Sequence, residues 1–117
     1  MRGKTLYLQF LEVEKSFPKT SRHTLAARID LLFLSILETT MTATYQKPER
    51  KIATLEIVIG KIDTLKFLFQ IAWEARCIKD GSYEILSKEL HEIGRNIGGW
   101  KKSLEIKNSP AGTPGRI

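Results

Sequence analysis

DGSYEILSKELHEIGRNIGGWKKSL, residues 80–104, is the stretch that decides the fold class. Tyr83, Leu86, Leu90, Ile93, Ile97, Trp100 and Leu104 recur at alternating spacings of three and four. That spacing holds apolar side chains on one face of an α-helix and suits knobs-into-holes packing. Asp80 or Ser82 offers a capping side chain at its start. The same segment holds Gly94, Gly98 and Gly99, each costing about 1 kcal/mol against alanine in a helix interior. A sequence tolerates that cost where a neighbouring backbone comes close or a surface must stay flat. Gly94 and Gly98 lie beside the apolar stripe, where they favour close approach of another helix.

Working outward, Pro18, Pro48 and the Asp80-Gly81-Ser82 turn divide the chain into four helical segments. They cover about 4–16, 21–45, 47–78 and 82–104. In the first, Leu6, Phe10, Val13 and Phe17 share a face, and Pro18 ends it. Thr20 or Ser21 caps the second, whose stripe is Leu25, Ile29, Leu32, Ile36 and Thr40 or Ala43. Pro48 suits the first turn of the third, with a stripe of Leu55, Ile59, Ile62, Phe69 and Trp73. Short links between helices favour antiparallel neighbours. The expected fold is all-α, an up-and-down four-helix bundle over residues 1–104, followed by a flexible C-terminal tail over 105–117. A three-helix or hairpin arrangement is the alternative if the first helix packs elsewhere.

Two helices carry more apolar surface than one stripe. Leu31 and Leu34 lie away from the main face of the second helix. Ile57, Leu68, Ile71 and Ala75 make a second seam on the third, with Phe67 at its edge. Helices apolar on several sides are buried on several sides. Another helix of the same bundle could cover them; a subunit interface is the reading preferred here, and Gly94 and Gly98 join it. A homo-oligomer is expected.

The chain has 117 residues and a formal net charge of +6. Residues 1–23 hold five basic and two acidic groups, and residues 46–79 hold seven and four. The dense spots are Lys15, Lys19 and Arg22, then Lys47, Arg50 and Lys51. Lys88, Arg95 and Lys102 add an outward face on the last helix. Alternating connectivity sets the first two spots at opposite ends. Such groups bind phosphates without reading sequence, although Glu92 can also pair with Arg95 along the helix.

Other chemistry finds no support. His23, His91 and the single cysteine, Cys77, lie in different segments without metal-ligand spacing. No nucleophile has a placed base. Gly94–Gly99 follows a helix and lacks the Gly-Lys-Ser/Thr ending of a phosphate loop. No enzyme, cofactor or metal is expected. One cysteine suits a reducing cytosol, and neither a signal peptide nor a membrane span is read.

Three motifs carry a family resemblance. FPKTSRHTLAARID, residues 17–30, resembles the Phe-Pro-Lys-Ser-x-Arg-x-Thr-Leu-Gly-x-Arg-Ile pattern of the accessory variability determinant family of diversity-generating retroelements. LEIVIGKIDTLKFLFQIAWE, residues 55–74, resembles that family's third helix, and EIGRNIGGWKKSL, residues 92–104, its closing motif. Small four-helix proteins encoded in ribosomal RNA intervening sequences are similar too. The resemblance implies a basic homopentameric barrel. It also implies a reverse transcriptase partner and binding of RNA or DNA by a non-catalytic factor in mutagenic retrohoming. Phe17, Pro18, Arg22, Thr24 and Arg28 match the first motif; Gly94, Arg95, Gly98, Gly99, Trp100 and Lys102 match the last. Ala26 replaces the usual glycine. Lys101 stands where an apolar residue is common, which adds positive charge or alters an interface. The alternative function is an oligomeric interaction scaffold, or a small regulatory bundle, without a reverse transcriptase.

Overall fold

The chain is described over residues 2–107 in a computed structural model, and no strand occurs among those residues. Four helices carry the fold: α1 (Arg2–Glu14), α2 (Ala27–Thr44), α3 (Pro48–Glu74) and α4 (Asp80–Lys107). A single α-turn, Lys19–Ser21, and a π-helical turn, Arg22–Ala26, lead directly into α2. The segment expected from residue 21 therefore begins earlier and contains a change of winding.

Its start is set by Pro18 and not by a side-chain cap. Pro18 is extended (φ −60°, ψ 147°), and neither Thr20 nor Ser21 makes a capping bond. The Pro18 carbonyl accepts the N–H groups of Ser21 at 2.9 Å and Arg22 at 3.2 Å. Ahead of it, α1 unwinds as Ser16 Oγ donates to the Val13 carbonyl at 2.7 Å. Pro48 occupies the first turn of α3 after an extended Lys47, as its missing N–H allows. Helix α4 runs three residues beyond Leu104, so Glu105–Lys107 of the expected tail are helical. Residues 108–117 lie outside the described residues.

Helix α3 ends at Glu74 and not near residue 78, in a left-handed cap. Cys77 N–H reaches the Ala72 carbonyl at 2.8 Å and Arg76 N–H the Trp73 carbonyl at 2.9 Å, the paired bonds of a Schellman motif. Arg76 takes the left-handed position (φ 64°) that glycine usually fills. Cys77 and Ile78 then turn into the core.

Contacts fix an up-and-down connectivity. Lys51, near the start of α3, lies 5.8 Å over the Trp100 ring, near the end of α4. Trp73 and Tyr83 stack at the other end of the same pair. Arg2, opening α1, reaches Glu89, about a third of the way along α4. Helix α1 has only 13 residues against 27 in α3, so it covers one half of the bundle. Gly3 makes that packing close: a Cβ there would stand 3.0 Å from Leu37 Cδ2.

The core centres on Phe10, Phe33 and Phe69, all essentially inaccessible to water. Their ring centroids lie 5.8–6.1 Å apart, and Phe17 meets Phe10 edge-on at 6.0 Å. Each buried phenyl contributes about 2–3 kcal/mol of hydrophobic stabilisation. Leu86, Leu90, Ile93 and Ile97 form the inner stripe of α4 as read from the sequence. On α3 the inner stripe is Leu55, Val58, Ile62, Leu65, Phe69 and Ala72. Ile59 is half-buried and Trp73 lies at the surface, because the true core face is rotated away from the one expected.

Candidate nucleic-acid interface

The alternating helices put the link between α1 and α2 at the same end as the link between α3 and α4. The link between α2 and α3 shares the other end with the last turns of α4. Cations therefore gather at two ends. At the first, Lys19 and Arg28 are exposed and form no ion pair with another described residue. Lys15 is exposed and paired with Glu12 at 3.1 Å, which in water contributes little. Arg22 serves the fold itself. Its Nε donates to the Phe17 carbonyl at 3.2 Å and its Nη2 to the Lys15 carbonyl at 2.7 Å. It thereby ties the end of α1 to the π turn.

At the second end, Lys47 and Arg50 are exposed and unpaired among the described residues, while Lys51 is held over Trp100. Lys102 is exposed, but the adjacent Lys101 is half-buried between Glu56 at 3.6 Å and Glu105 at 3.4 Å. Lys101 thus cross-links α3 and α4, and its charge is largely met within the chain. Along the outward face of α4, Lys88 is exposed and Arg95 pairs with Glu92 at 3.3 Å. The structure does not bring these groups into one patch; it distributes them over two ends and one face.

The apolar residues expected at a subunit contact separate in the same way. Leu31 (66% exposed), Leu34 and Ile57 (55%) are open to water. Met41 and Tyr45 continue the Leu31–Leu34 row beyond the exposed Glu38 that interrupts it, and on α3 Phe67 is exposed as well as Ile57. Between the two helices, Lys61 Nζ donates to the hydroxyls of Ser35 and Thr39. Leu68 and Ile71 are half-buried, and Leu68 packs on the chain's own core. Gly94 faces Ile62, where a Cβ would sit at an ordinary 3.6 Å, and Gly98 meets nothing within 4 Å. Neither glycine is required by close approach among the described residues.

One cluster escaped the sequence reading because its members are distant in the chain. Tyr7, Glu14 and Asp30 meet where α1 crosses α2, beside Arg22. Burial pushes the Glu14 carboxyl up to about 7, helped by a hydrogen bond shared with Asp30 and by that residue's charge, and opposed by Arg22. Burial, then Asp30, also raises the Tyr7 phenol. Asp30 Oδ1 is buried without a hydrogen-bond partner among the described residues. No group of three His, Cys, Asp or Glu residues able to hold a metal ion occurs among the described residues. No helix there is long and apolar enough to cross a membrane.

The chain is thus an antiparallel four-helix bundle with cationic ends and an exposed apolar outer face. A family model described as bAvd-like matches residues 2–104, and the chain belongs to that family. Its members are accessory, non-catalytic proteins. No curated protein matches the sequence.

Proposed function

We propose that the chain is a nucleic-acid-binding accessory subunit that works beside the reverse transcriptase of a diversity-generating retroelement. The observation that carries this reading is the family match over residues 2–104. The exposed Lys19, Arg28, Lys47 and Arg50, unpaired among the described residues, support it, because they can exchange counterions for phosphates. Copies assemble, in this reading, through the outward faces of α2 and α3, which expose Leu31, Leu34, Ile57 and Phe67. A pentamer follows from the family's habit. Assembly repeats each basic end around a ring and so joins charges that one chain keeps apart.

Binding of single-stranded RNA should weaken about 20-fold between 50 and 200 mM salt if about three phosphates are contacted. Replacing Lys19, Lys47 and Arg50 with glutamate should abolish it at unchanged helix content. Salt-independent affinity would refute the electrostatic mechanism. Ile57→Glu should leave a folded monomer by light scattering, and an unchanged particle size would remove the assembly surface. Leu68 is unsuitable for that test, since it also packs on the core. The exposed basic ends equally suit a scaffold docking an acidic protein; competition by RNA for those ends separates the two.

A further inference from the structure

The turn between α3 and α4 forms an open cleft of about 650 Å³, walled by Trp73, Glu74, Arg76, Ile78, Lys79 and Asp80. Trp73 is held as a fixed plate there. Its ring stacks on Tyr83 with centroids 4.6 Å apart and planes 5° from parallel. Its indole N–H donates to Asp80 Oδ1 at 2.8 Å. It is nevertheless 37% exposed. Trp73 lines the cleft and Tyr83 does not, and Tyr83 covers only one face of the Trp73 ring. A tryptophan fixed by a stacked ring and a hydrogen bond but left open to water is prepared to stack against a further flat group.

Charge identifies what the cleft can add. Arg76 and Lys79 are balanced by Glu74 and Asp80, so the cleft is close to neutral. Glu74 accepts from Gln70 at 3.1 Å and Asp80 from Trp73. Neither cation makes an ion pair among the described residues, and Arg76 is kept at the cleft by its left-handed backbone, a conformation disfavoured for arginine. Attraction here must come mainly from stacking, with Arg76 or Lys79 meeting a single phosphate. The same end of the bundle carries the exposed Lys19 and Arg28, which can hold the adjoining backbone.

We infer that this cleft is a stacking site for an unpaired nucleobase of a single strand, with Trp73 as the platform. The inference rests on the nucleic-acid reading above and adds to it a subsite that a duplex, whose bases already stack on one another, does not fill. Base-on-aromatic stacking needs no particular sequence, since every base has a π face.

The test uses the full chain and two probes of equal length: an oligouridylate and an abasic phosphodiester strand. The base-bearing strand should bind on the order of tenfold tighter, and the ratio should persist at 500 mM salt, where backbone contacts fade. Trp73→Leu should bring the ratio to one while leaving abasic binding unchanged. In a Trp100→Phe background, which leaves the cleft intact, Trp73 emission should be quenched by the base-bearing strand and not by the abasic one. Equal binding of both strands by the wild type, or a ratio and quenching independent of Trp73, overturns this inference alone. Failure of both strands to bind at low salt overturns the nucleic-acid reading and this inference with it.

Discussion

Replacing Glu14 with glutamine should remove a pH dependence that the wild-type fold carries. Glu14 titrates near 7 in the folded chain against an ordinary 4.5. The folded state therefore holds a proton that the unfolded chain has already lost between those values. Its contribution is fully present below pH 4.5, declines as pH rises, and is gone above about 7. The whole shift would correspond to about 3 kcal/mol. Glu14 is only half-buried, and water screening cuts the usable part to about 1 kcal/mol. Glutamine keeps the shape of the protonated acid and can still donate to Asp30. At pH 8 the variant should melt about 4 °C above the wild type. At pH 4 the two should nearly coincide. Melting both proteins side by side across that range cancels the titration of every other carboxylate. A constant difference in melting temperature, or one that grows toward acid, would refute the shared-proton account of Glu14 and Asp30.

Gly98→Ala should stabilise the single chain by about 1 kcal/mol in a denaturant melt, because the new Cβ meets nothing within 4 Å and helix propensity improves. If the same variant also weakens assembly, Gly98 is a contact between copies. Arg76→Gly should raise stability by about 0.5–1 kcal/mol, since it relieves a left-handed arginine at a helix end; a loss of stability would show that the arginine side chain outweighs its backbone cost.

What the sequence disclosed followed from contrast between faces. Helix α4 is mostly polar outside one stripe, Ile85 and Ile106 apart, so Leu86, Leu90, Ile93 and Ile97 stand out and are buried as read. Leu6, Phe10 and Phe17 on the first segment are equally legible. Helix α3 offers no such contrast. With Ile57, Ile59, Phe67 and Ile71 spread around it, periodicity cannot choose Val58, Leu65 and Ala72 as inner residues. The same ambiguity places Trp73 on the core stripe and hides the surface platform it forms. The basic residues are visible as charges, but not their duties: nothing in the order of residues reveals that Arg22 ties down two carbonyls or that Lys101 spans two carboxylates. The end of α3 is hidden because arginine stands where glycine normally announces a stop. Glu14 and Asp30 belong to different helices, and only the crossing of α1 over α2 brings them together.

The π turn at Arg22–Ala26 behaves as a phase-setter for everything before it. It winds one more residue into a turn than an α-helix does. Deleting a single residue there would let Lys19–Thr44 run as one uninterrupted α-helix, and the preceding chain would swing by about 100°. Phe17 would then turn out of the aromatic cluster, and Lys19 would point to a different side of the bundle. The surplus residue thus sets which direction one basic end faces, a property invisible to composition and untouched by any change of side chain.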